Sequence, residues 1–259
     1  MITPSKESAI TMWSKIRYMV RFLFAVVTLV IATSILAFPI ILASLLTSSG
    51  VPTYVMMRWW AWAVSFSMGY KYSLHGAENV EPGQSYVVTP NHQGNADILA
   101  LVLNLPVRFR WVIKKELLRI PIFGWALGAT GAIALDRSNR EASIESLKKA
   151  KHKLSNGWCM LIYPEGTRTP DGNLLPFKKG PFMVAVQTGL PILPVTTNGA
   201  FRILPKKKIA FRPGRMSVTI AKPIITEGLT ENDVPMLMEQ TRKAIESNLD
   251  TDYNPFKDR

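Results

Sequence analysis

A long uncharged segment near the N-terminus constrains the fold most strongly. Residues 22–57 contain no Asp, Glu, Lys or Arg and are rich in Leu, Ile, Val, Ala and Phe. As a helix, residues 22–46 would extend roughly 37 Å, against about 30 Å for the hydrocarbon core of a bilayer. Soluble domains rarely contain such a run, so this segment is predicted to enter a membrane.

Helix-breaking residues divide this part of the chain. Pro39 predicts a kink, the sequence TSSGVP (residues 47–52) predicts a turn, and a second uncharged run, residues 59–70, follows Arg58. We therefore predict a two-helix membrane anchor over residues 1–70. Five aromatic rings are expected at the headgroup level, namely Tyr54, Trp59, Trp60, Trp62 and Tyr70. The alternatives are a buried hairpin of a soluble core and a signal peptide, but the run exceeds a signal h-region of about 7–15 residues.

Charges flanking the anchor predict its orientation. Lys6, Lys15, Arg17 and Arg21 precede the apolar run and favour a cytoplasmic N-terminus. A second crossing would need about 20 apolar residues, and residues 59–70 are too few. We therefore expect a shallow hairpin that keeps the rest of the chain on the cytoplasmic face, which would be the inner membrane if the source is bacterial.

The overall charge limits the classes of partner. The chain has 31 Lys and Arg against 18 Asp and Glu, a net charge of +13, and its 47% hydrophobic content excludes disorder as the main state. Such a charge favours a nucleic acid, an anionic membrane or a phosphorylated substrate. Cys159 is the sole cysteine, so neither an internal disulfide nor a Cys₂ or Cys₄ zinc site is possible, and no metal is expected.

Residues 71–259 show the sequence pattern of an α/β domain. Short apolar runs predict strands, and they alternate with helix-like stretches, a pattern typical of a substantially parallel sheet. The predicted strands are 85–90, 108–113, 131–135, 158–164, 191–197 and 215–220. The predicted helices are 96–103, 117–128, 140–154, 181–188 and a closing helix at 231–249. Residues 254–259 are expected to be a loose tail.

A histidine and an aspartate follow the first of these strands. His92 and Asp97 lie in NHQGNAD (residues 91–97), where a carboxylate can orient an imidazole for general-base catalysis. On spacing alone, a histidine near an aspartate is more often a capping or hydrogen-bonded structural pair. Three further blocks follow in order: GAIALDR (131–137), YPEGTR (163–168) and LPILPV (190–195), with FKKGPF (177–182) opening a helix.

Together these blocks resemble the glycerolipid acyltransferase family that acylates lysophosphatidic acid. The resemblance covers roughly residues 70–225 and implies an α/β acyltransferase fold, a mixed, largely parallel sheet flanked by helices. It implies that His92 takes the proton of the acceptor hydroxyl, that Asp97 orients it, and that Lys114 lies near the acyl-transfer centre. The implied substrate-binding residues are Arg137, Glu165, Gly166, Thr167, Arg168 and Lys178. Many relatives carry Ser and a bulky residue where this chain has Gly94 and Asn95.

The resemblance also implies the reaction. An acyl group would pass from acyl-CoA or acyl carrier protein to the sn-2 hydroxyl of 1-acylglycerol 3-phosphate, forming phosphatidic acid at an anionic membrane without a cofactor. Another lysophospholipid or glycerol 3-phosphate is the alternative acceptor. A non-catalytic lipid-binding scaffold and a membrane-tethered nucleic-acid-binding protein are alternatives of other classes, although no recognisable nucleic-acid motif is present.

Overall fold

The computed structural model describes residues 6–135, 154, 157–204 and 212–256, with side chains from residue 16 onward. Elements are numbered in chain order over those residues. The helices are α1 (Lys6–Leu46), α2 (Val51–Met68), α3 (Ala96–Asn104), α4 (Phe123–Ala129), α5 (Gly180–Thr188), α6 (Ala200–Ile203) and α7 (Val234–Glu246). The strands are β1 (Tyr70–His75), β2 (Val87–Pro90), β3 (Arg108–Lys114), β4 (Ile133–Leu135), β5 (Trp158–Leu161), β6 (Ile192–Asn198) and β7 (Gly214–Ile220).

The seven strands found in these residues form one sheet in the order β1-β7-β6-β2-β5-β3-β4. Each neighbouring pair is parallel except β6 and β7, which are antiparallel. Parallel neighbours require a crossover connection, which explains why strands and helices alternate along the chain. The predicted mixed, largely parallel α/β fold is confirmed.

Both faces of the central strands are buried, because helices cover the sheet on each side. Val87 and Ile192 are register partners on the face that α5 and α7 cover, whereas Val88 and Leu193 face α2 and α3. All four side chains have no exposed surface. Burial on two faces explains why these strands are continuous apolar runs rather than alternating ones.

Several predicted elements differ from the structure. Strand β1 was missed because its YKYSLH sequence is polar enough for an edge strand, and the predicted helix 117–128 divides at Pro121 into a 3₁₀ turn (Lys115–Arg119) and α4. The prediction of a helix at 140–154 lies outside the described residues apart from Leu154. The predicted loose tail is wrong at its start, since Pro255 is buried and its carbonyl accepts a 2.8 Å hydrogen bond from Arg215 N.

The N-terminal region contains the two predicted helices, but they differ in character. Residues 16–46 of α1 are the one stretch among the described helices that is long and apolar enough to cross a membrane, and Pro39 lies inside α1 without ending it. Helix α2 packs one face into the core of the sheet. Of the five rings expected at headgroup level, only Trp59 and Trp62 are largely exposed, each at 62%, because Tyr54 and Tyr70 are buried and Trp60 is half-buried.

Polar contacts tie the two helices to the α/β domain. The Arg58 guanidinium donates to the carbonyls of Val102 (2.6 Å) and Leu103 (2.9 Å), and so caps the C-terminal end of α3. Trp60 Nε1 donates to Thr33 Oγ1 of α1 at 3.0 Å. The turn between the helices also packs on the domain, because Gly50 (φ 70°) lies against the Trp158 ring. The predicted anchor therefore shares a core with the sheet, and its boundary at residue 70 stays a prediction.

Candidate active site

The loop that follows β2 carries the predicted histidine. Parallel β2 and β5 end at the same edge of the sheet, so this loop lies beside the segment that follows β5. Asn91, which is buried, holds the loop to β6 through its side chain. Its Oδ1 accepts from Thr197 N at 2.7 Å, and its Nδ2 donates to Thr197 O at 3.1 Å. The backbone next to His92 is thereby fixed from one side.

His92 and Asp97 form the hydrogen-bonded pair that their spacing predicted. His92 Nδ1 lies 2.9 Å from Asp97 Oδ2, and Asp97 is fully buried in the first turn of α3. The same carboxylate accepts from Gln93 N at 2.8 Å and from Gly94 N at 2.9 Å. Since a carboxylate can only accept, the hydrogen bond places a proton on Nδ1. The pair therefore leaves Nε2 as the ring nitrogen that can act as a base.

An aromatic ring packs against one face of the His92 imidazole. The rings of His92 and Tyr163 stack with centroids 3.6 Å apart at 10°, and Trp111 lies 6.2 Å beyond Tyr163. The Tyr163 hydroxyl is buried and has no hydrogen-bond partner among the described groups. Burial, with Asp97 and Glu165 nearby, raises the pKa of Tyr163 well above its ordinary value. Tyr163 is therefore neutral, and its ring packs on one face of the His92 imidazole.

Glu165 is an interior residue. Its side chain is 2% exposed, its Oε1 accepts from His92 N at 2.7 Å, and its Oε2 accepts from Leu175 N at 3.0 Å. Burial raises the pKa of Glu165 to about 7, although the two amide donors oppose this rise. Thr169 N also donates to His92 O at 2.9 Å. The segment after β5 therefore binds both backbone groups of His92, its N–H and its carbonyl.

The remaining residues of the YPEGTR block (163–168) face the outside of the His92 loop. Arg168 Nη1 donates to Asn95 Oδ1 at 2.8 Å, which links the two blocks. Gly166 has φ 70°, and a Cβ there would lie 3.6 Å from the Lys178 side chain, so the exposed Lys178 passes over this glycine. Thr167, which lies between Gly166 and Arg168 in the chain, is exposed. Arg168 and Lys178 thus lie on the surface around the His92 loop.

The other two predicted residues are less closely connected. Lys114 ends β3 at the same edge of the sheet as His92, is about half-exposed, and forms a 3.2 Å ion pair with Glu116. Among the described residues, no hydrogen bond or ion pair joins Lys114 to His92. Arg137 lies outside the described residues. No group of three His, Cys, Asp or Glu residues within the described ranges has a metal-binding arrangement.

The sequence interpretation assigned no role to two residues that support the His92 loop. Asn91 had a usable signal, because a polar residue that ends an apolar strand directly before a histidine must find buried partners. The sequence carried no signal for the role of Tyr163, because the stacking of its ring on His92 depends on β5 lying next to β2. Cys159 is buried with no exposed surface, as expected for a core residue, and burial raises its thiol pKa to about 12.

An apolar cavity of about 140 Å³ lies beside the site, between α1, α2, α3 and α4. Trp111 and Ile98 are among its lining residues. Ile98 follows Asp97 in the chain, and the Trp111 ring continues the stack of Tyr163 and His92. The cavity walls are almost wholly hydrocarbon, so the polarity of the cavity suits an apolar ligand.

Comparison with known proteins assigns this arrangement to a class. Residues 71–198, which contain His92, Asp97 and the 163–168 block, match the family model described as Acyltransferase. The chain is 34% identical over 183 residues to 1-acyl-sn-glycerol-3-phosphate acyltransferase alpha of Homo sapiens, covering 70% of this chain and 65% of the human protein. It is 32% identical over 219 residues to the 1-acyl-sn-glycerol-3-phosphate acyltransferase of Saccharomyces cerevisiae, covering 83% of this chain and 72% of the yeast protein.

A solved structure extends the match to the whole fold. The crystal structure of the 1-acyl-sn-glycerophosphate (LPA) acyltransferase PlsC from Thermotoga maritima superposes with a TM-score of 0.76 at 26% identity, covering 91% of this chain and 95% of that one. The chain belongs to the 1-acyl-sn-glycerol-3-phosphate acyltransferase family. It spans just under two thirds of the length of the human protein.

Proposed function

We propose that the protein transfers a fatty acyl group from an acyl thioester to the sn-2 hydroxyl of 1-acylglycerol 3-phosphate, forming phosphatidic acid. The observation that carries this proposal is the 2.9 Å pair of His92 and Asp97 beside an apolar cavity. The names of the human and yeast relatives support the same reaction. Acyl-CoA or acyl carrier protein would supply the thioester, with no cofactor.

His92 carries the proton in this mechanism. Its Nε2 accepts the proton of the acceptor hydroxyl as the hydroxyl oxygen attacks the thioester carbonyl and the new C–O bond forms. Asp97 stabilises the imidazolium that results. The tetrahedral intermediate then collapses, the C–S bond breaks, and the departing thiolate takes the proton from Nε2. A thioester is already activated, so the reaction needs no covalent enzyme intermediate.

Basic side chains around the His92 loop would bind the acceptor phosphate. Arg168 is fixed next to His92 through Asn95, and its guanidinium has a planar fork that matches two phosphate oxygens. Lys178 and Arg137 would add positive charge, and Lys114 would stabilise the oxyanion at the acyl carbon. The buried Glu165 would act by positioning His92, because both of its oxygens accept backbone hydrogen bonds.

The structure supports membrane association without a full crossing of the bilayer. Helix α1 is apolar on its exposed side, but Ala25, Ala37 and Ile40 are buried against the rest of the protein along its length. The turn at Gly50 packs on Trp158 at the beginning of β5. A hairpin fixed along the domain in this way would lie in one leaflet, with the catalytic edge on the cytoplasmic face.

Purified full-length protein assayed with a panel of acceptors tests the proposal. We expect release of free thiol from acyl-CoA or acyl carrier protein with 1-acylglycerol 3-phosphate, and little release with lysophosphatidylcholine or glycerol 3-phosphate. His92→Ala is the matched control and should abolish release. Equal use of the other acceptors would overturn the assigned substrate, and activity retained by folded His92→Ala protein would overturn the mechanism.

A further inference from the structure

The segment that runs from the end of β3 into the first turn of α4 displays apolar side chains to the outside. Leu117, Ile120, Ile122 and Trp125 are 36%, 44%, 44% and 60% exposed. Exposed apolar residues clustered in this way mark interaction or membrane surfaces. We propose that residues 114–125, here called the docking loop, form a second membrane-contacting element that inserts into the interface of an anionic phospholipid bilayer. This proposal rests on the membrane association proposed for α1 and α2.

The backbone of the docking loop is built to present these side chains. Ile122 has φ 62° and ψ −63°, the conformation of a strained γ-turn, and among the described residues it is the one non-glycine with positive φ. Hydrogen bonds hold it there, from Gly124 N to Ile120 O (2.7 Å) and from Ala126 N to Ile122 O (3.0 Å). Strain of this kind persists only where the surrounding structure enforces it and is typical of functional sites.

Tight packing beneath the loop keeps it rigid. A Cβ on the buried Gly124 would lie only 2.5 Å from the Leu117 carbonyl oxygen, so the start of α4 and the 3₁₀ turn are in close backbone contact. A hydrophobic residue held outward on a rigid backbone does not collapse onto its own domain. The exposed side chains therefore remain available to a lipid surface.

Charge on the docking loop identifies the kind of membrane. Lys114, Lys115 and Arg119 are exposed, against one acidic residue, Glu116. Apolar side chains surrounded by basic ones match the interface of a bilayer that contains anionic headgroups, because the hydrocarbon is buried while the cations remain near phosphates.

The docking loop continues the apolar surface of the N-terminal helices. Helix α4 packs against α1, and Phe123 and Ala126 line the apolar cavity from the inner side of α4 while Trp125 faces outward. The loop follows the carboxyl end of β3, the edge of the sheet that carries His92. Its insertion would press the catalytic edge onto the bilayer, where a lysolipid presents its hydroxyl.

Site-directed fluorescence tests this proposal on the full-length protein. The fluorophore NBD is attached to Trp125→Cys or Ile122→Cys, and the protein is reconstituted into vesicles of phosphatidylcholine and phosphatidylglycerol. Cys159 can remain, because it is buried and its thiol pKa is raised to about 12. Ile225→Cys is the matched control, since Ile225 is 65% exposed and lies next to Ile224, which pairs with the amino end of β6, the opposite edge of the sheet.

We expect doxyl-labelled lipid to quench the emission at positions 122 and 125 and to leave position 225 unaffected. Trp62→Cys on α2 reports the membrane association of the anchor itself. Quenching at 62 without quenching at 122 or 125 would overturn the docking loop while leaving the proposed function intact. The absence of quenching at all of these positions would instead overturn the membrane association on which both rest.

Activity provides a second readout that a merely structural role would not produce. Trp125→Glu should lower turnover of vesicle-embedded acceptor by about tenfold or more, since it removes a large side chain from the lipid interface. Turnover of the same acceptor in detergent micelles should be unchanged, as should both activities of the control Ile225→Glu. Equal losses in vesicles and micelles by Trp125→Glu would contradict a role in docking.

Discussion

The backbone N–H of His92 donates a 2.7 Å hydrogen bond to Oε1 of Glu165, a residue 73 positions away in the chain. Replacement of Glu165 by Gln turns one carboxylate oxygen into an NH₂ group that faces the amide of either His92 or Leu175. One buried donor then loses its acceptor, which costs about 1–3 kcal/mol of unfolding free energy. Denaturant unfolding measures this cost, and Glu239→Gln, at an exposed position, is the matched control.

Glu165 also makes stability depend on pH. Its folded pKa of about 7 lies above the ordinary value of 4.5, so its contribution to stability is full below about pH 4.5 and is lost as the pH rises through about 7. Glu165→Gln removes this titration, so the stability of the wild type relative to the variant should fall over that range. A relative stability that rises with pH would mean that the amide hydrogen bonds outweigh desolvation.

Asp97→Asn should lower kcat by roughly 10³–10⁴-fold while the protein remains folded. The amides of Gln93 and Gly94 both donate to this side chain, so the asparagine oxygen turns toward them and its NH₂ group toward His92 Nδ1. The imidazole then carries its proton on Nε2 and cannot accept one from the acceptor. Steady-state kinetics measure the loss, with Asp252→Asn at a 99% exposed side chain as the control. A loss below tenfold would show that Asp97 does not set the tautomer.

Arg168→Lys keeps the positive charge but loses the planar fork that can hold two phosphate oxygens. We expect KM for 1-acylglycerol 3-phosphate to rise about tenfold, with a smaller change in kcat and in KM for the thioester. Arg202→Lys, which also lies on the surface, is the control. An unchanged KM for the phosphorylated acceptor would place the phosphate elsewhere, with Lys178 and Arg137 as the remaining candidates.

Ala126→Phe should shift the preference of the enzyme toward shorter acyl chains. Ala126 lines the apolar cavity, and a phenyl ring there would occupy space that a long chain needs. Competition between acyl thioesters of different chain length measures the shift. Ala129→Phe on the same helix, outside the residues that line the cavity, is the control. An unaltered chain-length profile would mean that the acyl chain binds outside this cavity.

Ser49→Cys tests the topology of the hairpin. Ser49 is exposed in the turn between α1 and α2, and this turn packs on the α/β domain through Gly50 and Trp158. A membrane-impermeant maleimide should therefore label it from the same side as Lys243→Cys on the catalytic domain. The buried Cys159 of the wild type supplies the background measurement. Labelling from the opposite side would demonstrate a full crossing and exclude the shallow hairpin.

Local patterns in the sequence determined the class of fold and part of the site. Alternating apolar runs and helix-like stretches predicted the largely parallel sheet, because both signals arise within short windows. His92 and Asp97 are five residues apart, so the turn into α3 is enough to bring them together. The apolar N-terminal run predicted an anchor helix for the same local reason.

Contacts between distant parts of the chain were decided only by the tertiary structure. Glu165 and Tyr163 meet His92 because β5 lies beside β2, and strand order is not encoded in the periodicity of either strand. Arg58 appeared to interrupt an apolar run, yet it caps the carbonyls of α3. The sequence gives the identity of these residues, but their burial and their hydrogen-bond partners depend on which elements pack together. The sequence alone therefore determined the pairing of His92 with Asp97 and the apolar helix α1, while packing decided what holds the pair in place and which face of α2 remains exposed.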